Sequence, residues 1–129
     1  MQTPLEEWIH KAEEDYRSAL LLNEHPESDA YDVVCFCCQQ CVEKYFKALL
    51  VYRGVKFMKE HDLIYHLNLV LPHDPDLHSY QEDLEALSDY AVNIRYPGGI
   101  AGTEDAREAI EKMKLLRAIL RKKLGFEIE

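Results

Sequence analysis

The sequence is poor in the residues that build tight turns. Its 129 residues include only 5 glycines and 5 prolines. A fold made of many strands needs frequent turns, and those two residues favour them. Their scarcity therefore predicts helices joined by short loops, and the length fits a single domain over residues 1–129.

Long apolar runs and an excess of positive charge are also absent. No run approaches the roughly 18 apolar residues that cross a membrane, and the acidic start MQTPLEEW does not resemble a signal peptide. The formal net charge of −9 disfavours broad, non-specific binding of nucleic acid, although a local basic patch can still bind a nucleotide or a short RNA. The 4 cysteines crowd into residues 35–41, unlike a secreted disulfide framework. We therefore expect a reduced, cytoplasmic protein with no membrane contact.

The most apolar stretch runs from Asp32 to Gly54 and predicts one long central helix. At about 100° per residue, its apolar side chains cover a broader arc than the stripe of an ordinary surface helix. Such a helix needs several packing partners, or one partner and a second subunit. Gly54 suits the left-handed position that ends a helix. The predicted inward arc contains Val34, Cys38, Cys41, Val42, Tyr45, Phe46, Leu49 and Tyr52.

Apolar residues spaced by three and four predict three further long helices and a short one. The long helices span about 4–23, 77–94 and 104–124, and the short one follows His61-Asp62. Short loops favour antiparallel neighbours. We therefore predict an all-α, up-down antiparallel four-helix bundle with one extra short helix.

Capping residues place the helix starts, and two apolar residues point outward. Thr3 and Thr103 are the predicted N-caps of the first and last helices, and Ser28 or Asp29 that of the central helix. His61-Asp62 is predicted to cap the short helix. In the last helix, Leu115 and Ile119 point away from the core stripe, which indicates a second contact surface. Together with the wide apolar arc of the central helix, this predicts a homodimer.

The cysteines and histidines do not show the spacing of a metal or redox site. A redox pair works at a helix N-terminus, whereas Cys38 and Cys41 lie inside a helix. Four thiols from one helix cannot surround a tetrahedral ion, so we interpret them as small apolar fillers. His61 and His66 are five residues apart, which does not match a metal-binding pair on one helix face. We therefore predict no metal and no cofactor.

Two polar patches are candidates for ligand binding. Gln40, Lys44 and Lys47 form a narrow stripe opposite the apolar arc. This stripe is either a solvated face, or an anion contact or polar seam that faces a partner. Arg95 and Tyr96 form the second patch. Arg95 either complements the end of its helix or binds a phosphate or carboxylate with its bidentate fork, and Tyr96 is available to stack.

Taken together, these residues resemble the HEPN domain family (higher eukaryotes and prokaryotes nucleotide-binding domain). The resemblance covers the chain from Leu5 to about Leu124. It implies a helical bundle that dimerises and that often pairs with a small nucleotidyltransferase in a toxin–antitoxin or stress system. The matching residues are Gln39-Gln40, Glu43-Lys44, Lys47-Ala48-Leu49-Leu50, Gly54, His61-Asp62-Leu63, Tyr90 and Arg95-Tyr96-Pro97.

Many members of this family are metal-independent ribonucleases with an Arg followed, four to six residues later, by a His. After Arg95 that window contains Ile100, Ala101 and Gly102, and no histidine follows His78. The resemblance therefore implies a non-catalytic binding protein that contacts a nucleotide or RNA.

The ligand contacts that we predict for this binding protein are Arg95, Tyr96, Lys44 and Lys47. The alternative is a ribonuclease with a rearranged site, built from Arg95 and one of His61, His66 or Tyr96.

Overall fold

The computed structural model describes residues 3–92 and 100–126, and these residues are helical or lie in loops, with no strand among them. The predicted all-α class is therefore confirmed. None of the helices within the described ranges is long and apolar enough to cross a membrane. Five α-helices are present there, with short 3₁₀ turns at Pro26–Ser28 and Pro75–Tyr80: α1 (Pro4–Asn23), α2 (Tyr31–Arg53), α3 (Leu63–Val70), α4 (Gln81–Val92) and α5 (Thr103–Lys123).

Several helix ends follow the predicted chemistry. Thr3 caps α1, because its hydroxyl accepts a hydrogen bond from the backbone N–H of Glu6 at 3.2 Å. Asp62 caps α3 by accepting from the N–H of Ile64 at 2.9 Å. Gly54 ends α2 in the left-handed conformation, with a φ of +74° that a residue with a Cβ rarely adopts.

Two predicted caps were wrong. α2 begins at Tyr31 after Ala30, which makes no side-chain capping bond, because Ser28 lies in a 3₁₀ turn and Asp29 leaves that turn in the left-handed conformation. α5 includes Thr103, and its N-cap is Gly102. The N–H of Gly102 donates to the carboxylate of Asp105 at 2.9 Å, so an acidic side chain in the first turn satisfies this helix start.

Helix α2 is the hub of the fold, as its wide apolar arc predicted. It packs against α1, α3, α4 and α5. Along α1, Asp15 pairs with Lys44 and Trp8 lies over Lys47, so the two helices run antiparallel. Towards α5, Asp32 binds the backbone of Ala101 at the start of both helices. Arg121 binds Tyr45 further along, so α5 runs in the same direction as α2.

The apolar arc of α2 forms the middle of the core. Its large side chains Tyr45, Phe46, Leu49 and Leu50 are fully buried. Tyr52 is the exception to the prediction, since about half of it is exposed at the C-terminal end of the helix, where Arg53 lies beside its ring. Removing each large apolar side chain from water stabilises the fold by roughly 1.5–3 kcal/mol.

The cysteines act as small core residues. Cys35, Cys38 and Cys41 are completely buried, Cys37 is partly buried, and all four are free thiols. Burial raises the pKa of Cys35 to about 12 and raises the pKa of Cys41 well above its ordinary value. The described part of the chain contains no cluster of three or more His, Cys, Asp or Glu residues that could hold a metal ion.

Candidate functional site

Three polar residues, spaced by one helical turn each, are buried along one face of α2. Gln39, Glu43 and Lys47, here called the α2 polar seam, lie four residues apart, so their side chains stack along the helix. Lys47 Nζ donates to Glu43 Oε2 at 3.0 Å, and Gln39 Nε2 donates to Glu43 Oε1 at 3.1 Å. The seam therefore satisfies its own polar groups inside the protein.

The α2 polar seam holds His61, which lies in the loop before α3. Gln39 Nε2 donates to the backbone carbonyl of His61 at 2.9 Å. His61 Nδ1 lies 3.1 Å and 3.2 Å from the two carboxylate oxygens of Glu43. A carboxylate only accepts, so Nδ1 carries a hydrogen in this contact, and Nε2 lies on the far side of the ring. The His61 side chain is 76% exposed, whereas that of Glu43 is 1% exposed.

The carboxyl group of Glu43 is ionised at neutral pH. Burial raises the pKa of Glu43, but hydrogen bonds from Gln39, Lys47 and His61 and the charge of Lys47 lower it by more. The net pKa lies below its ordinary value of 4.5. A buried carboxylate with a fixed negative charge thus faces an exposed imidazole.

The lysines predicted as ligand contacts both have partners within the chain. Lys44 is partly buried, and its Nζ lies 2.5 Å from Asp15 Oδ2 on α1. Lys47 is only 7% exposed and lies 4.9 Å from the ring centre of Trp8. The interpretation of the stripe as a solvated face is therefore wrong for Lys47. Lys47 instead belongs to the α2 polar seam, which faces α1 and the His61 loop of the same chain and shares only this residue with the predicted stripe.

The other two predicted ligand contacts, Arg95 and Tyr96, lie outside the described residues. Described residues on both sides of this stretch, Tyr90 and Ala101, lie beside the N-terminal part of α2. Tyr90 is half-buried. Its pKa is raised to about 12, mainly by burial and to a lesser extent by the nearby Cys35. On the other side, the backbone N–H of Ala101 donates to Asp32 Oδ1 at 2.6 Å.

A second polar cluster joins α1, α2 and α5, and the sequence reasoning missed it. Arg117 donates two hydrogen bonds to Glu13, at 2.7 Å and 2.6 Å, and its guanidinium lies 4.0 Å from the ring centre of Tyr16. Tyr45 donates to Glu13 and accepts from Arg121 Nη1 at 3.0 Å. A signal was present, since residue 117 lies on the same helical face as the core residues 113 and 120.

His66 is a core residue and not part of an exposed site. Its Nδ1 donates to the carbonyl of Asp62 at 2.9 Å, and its ring meets Tyr65 edge to face with centres 5.3 Å apart. Its Nε2 is buried and has no hydrogen-bond partner in the described structure. Burial lowers the pKa of His66, so the ring is neutral at physiological pH.

The architecture defines a small helical domain built on one buried central helix whose polar face holds a histidine. The sequence model of the HEPN domain matches residues 5–123, nearly the whole chain, and the chain belongs to the HEPN domain family. This confirms the resemblance and supports a function related to nucleotides or RNA. Searches of curated proteins and of solved structures found no match.

Proposed function

We propose that this protein is a non-catalytic binding module, linked to a nucleotide or RNA, that pairs with a small nucleotidyltransferase in a toxin–antitoxin-like or stress system. The observation that carries the proposal is the membership of the HEPN domain family combined with the window after Arg95. In that window Ile100 is exposed, Ala101 is tied to Asp32, and Gly102 caps α5. None of these three residues carries a side-chain group that can transfer a proton near neutral pH.

The proposed ligand contacts are Arg95 and Tyr96, supported by Lys44 and Lys47. A guanidinium binds a phosphate through two parallel hydrogen bonds, and a tyrosine ring stacks on a base. Lys44 is the more accessible lysine, because its side chain keeps some exposure beside Asp15. Lys47 would have to exchange its bond to Glu43 for a ligand contact, so we expect it to contribute less.

Calorimetric titration with ATP and with a short single-stranded RNA tests the ligand part. We expect Arg95→Ala to weaken binding about 10-fold or more, the cost of losing hydrogen bonds to a charged group. Arg107→Ala is the matched control, because Arg107 is exposed on α5 and pairs only with Glu104 and Glu111 among the described residues. Absence of binding at millimolar ligand contradicts the ligand part and leaves only protein partners.

The proposed protein partner calls for its own experiment. Co-expression with a nucleotidyltransferase encoded by a neighbouring gene, followed by size-exclusion chromatography, should give one complex that contains both chains. Separate elution of the two proteins at micromolar concentration would contradict the pairing, whatever the titrations show.

We further propose that the chain forms a homodimer from single-domain, up-down bundles of residues 1–129. The antiparallel contact of α1 with α2 and the parallel contact of α5 with α2 support alternating helix directions. Leu115 on α5 is 45% exposed, which supports an outer apolar surface, whereas Ile119 packs partly against the core. Sedimentation at low micromolar concentration should give a dimer, and a clean monomer would refute it.

The four free thiols support a reducing, cytoplasmic location.

A further inference from the structure

A small pocket opens on one face of α1, near the start of the helix. Its cavity volume is about 130 Å³, and it is lined by Pro4, Glu7, Trp8 and Lys11. We propose that this pocket binds a free α-amino acid with an apolar side chain. The proposed nucleotide contacts Lys44 and Lys47 are not among its lining residues, so the inference goes beyond the proposed function.

The apolar wall of the pocket is the indole ring of Trp8, which neighbouring elements hold in place. Its ring centre lies 6.3 Å from that of Phe57, in the loop after α2, with the two rings tilted by 60°. Lys47 Nζ on α2 lies 4.9 Å from the same ring centre. Because these contacts fix the ring, the part of Trp8 that lines the pocket forms a ready surface for an apolar or aromatic side chain.

Two opposite charges line the same pocket and are not paired with each other. Glu7 and Lys11 are four residues apart, the spacing at which a glutamate and a lysine on one helix can form an ion pair. Among the described residues, neither side chain makes a hydrogen bond or an ion pair, whereas His10 and Glu14 at the same spacing lie 3.6 Å apart. A ligand between Glu7 and Lys11 can therefore contact both charges.

The charges and the size of the pocket select the class of ligand. A simple anion is attracted by Lys11 but repelled by Glu7, and a simple cation is repelled by Lys11 and by Lys47 beside the indole. A zwitterion carries the ammonium and the carboxylate that match both charges. Sites for drug-sized ligands measure roughly 300–1,000 Å³, so this pocket accommodates one side chain and is too small for a whole nucleotide.

In the complex, the α-ammonium group of the ligand donates to Glu7, and Lys11 donates to its α-carboxylate. The ligand side chain packs against Trp8 and Pro4. Solution contacts between Glu7 and Lys11 do not oppose binding strongly, because an exposed ion pair contributes little. The ligand is small and its charges stay partly solvated, so we expect an affinity in the millimolar range.

The test is the intrinsic fluorescence of the full chain, because Trp8 is its single tryptophan. The titrants are phenylalanine, phenylalaninamide, which lacks the carboxylate, and N-acetyl-phenylalanine, which lacks the ammonium group. We expect phenylalanine to change the emission of Trp8 saturably, and each derivative to bind about 3-fold or more weakly. The derivatives also mimic the first and last residues of a peptide, so they distinguish a free amino acid from a peptide end.

Two variants assign each charge of the ligand to its partner. Glu7→Gln should lower the affinity for phenylalanine about 3-fold or more, but should not lower the affinity for N-acetyl-phenylalanine. Lys11→Met should have the same effect on phenylalanine and should not lower the affinity for phenylalaninamide. Lys114→Met, a matched change at an exposed lysine of α5, should leave all three affinities unchanged. A disturbed fold would weaken the binding of all three compounds together and cannot produce this crossed pattern.

Three results would overturn the inference. They are an emission that does not change with millimolar phenylalanine, equal affinities for the three compounds, or phenylalanine binding that neither Glu7→Gln nor Lys11→Met weakens. Arg95→Ala should bind phenylalanine as the wild type does, because Arg95 belongs to the proposed nucleotide site. Failure of the amino-acid site therefore leaves the proposed function intact, and failure of the nucleotide titrations leaves this site intact.

Discussion

Glu13 and Arg117 are joined by two hydrogen bonds, of 2.7 Å and 2.6 Å, although 104 residues separate them in the chain. Their pairing ties α1 to α5 across the surface of α2, where Tyr45 also donates to Glu13. Hydrogen bonding and the charge of Glu13 raise the pKa of Arg117 above its ordinary value, and Arg117 is almost completely buried. This pair therefore links the first and last helices of the fold.

We predict that Arg117→Ala lowers the free energy of unfolding by about 3 kcal/mol, because the partly buried Glu13 loses both hydrogen bonds from Arg117 and keeps only Tyr45 and the more distant Arg121. Urea denaturation at pH 7 measures this loss. Arg107→Ala, which breaks only exposed pairs on α5, should leave the urea midpoint unchanged. Equal urea midpoints for the two variants would show that the Glu13–Arg117 pair does not stabilise the fold.

Acid should destabilise the protein through three carboxylates. Burial raises the pKa of Glu13, Glu43 and Asp74, but hydrogen bonds to Arg and Lys side chains or to other polar groups lower each pKa by more. A carboxyl with a lower pKa in the folded state is protonated more readily in the unfolded chain. The stability that it contributes is therefore complete above the ordinary values of 4.5 and 3.8, and is lost as the pH falls through the folded pKa.

Urea denaturation at a series of pH values between 7 and about 3 checks this prediction. We expect stability to fall below about pH 4.5, and Glu43→Gln to show a shallower fall because it cannot take up that proton. A variant with the same pH dependence as the wild type would show that folding does not lower the pKa of Glu43.

His66 should add a separate loss of stability at milder pH. Burial lowers the pKa of His66, and the charge of Lys47 lowers it further. The hydrogen bond to Asp62 and the charge of Glu43 raise it by less, so the net pKa lies below its ordinary value. The unfolded chain therefore binds this proton first, and stability declines as the pH falls below the ordinary value of 6.5. His66→Phe should flatten the decline between about pH 6.5 and 5, whereas His78→Asn, at an exposed position, should retain it.

The four thiols should react slowly in the folded protein. Burial raises the pKa of each of them, and only the thiolate attacks a disulfide reagent. At pH 8 we expect a chromogenic disulfide to label partly buried Cys37 first and Cys41 last, and all four at once in guanidinium. Rapid labelling of four thiols in the native protein would contradict the burial of this cluster.

Most of the fold follows from local patterns in the sequence. The wide apolar arc predicts α2 as the hub, and Thr3, Asp62 and Gly54 carry the capping chemistry seen at their helix ends. The missed start of α2 has a physical reason. Ser28 and Asp29 are good N-cap residues. In the structure, however, Ser28 lies in the 3₁₀ turn that begins at Pro26, and Asp29 ends that turn, so α2 begins without a side-chain cap.

The candidate site was harder to predict, because its burial depends on partners far along the chain. Lys47 has the spacing of a surface residue. In the structure, however, Trp8 of α1 covers it, and its ammonium group pairs with the carboxylate of Glu43. Glu43 and His61 are 18 residues apart, and no periodicity indicates that a loop folds back onto α2. The pattern that was available is the repeat of Gln39, Glu43 and Lys47 at intervals of four.

The parallel contact between α2 and α5 has a consequence for the order in which the protein folds. The Lys44–Asp15 contact of α1 and α2 closes a loop of 29 residues, whereas the Asp32–Ala101 contact of α2 and α5 closes one of 69. Closing the longer loop costs about 0.8 kcal/mol more in chain entropy. We therefore expect the N-terminal pair of helices, which also leaves the ribosome first, to form first and to act as a template onto which α5 docks late.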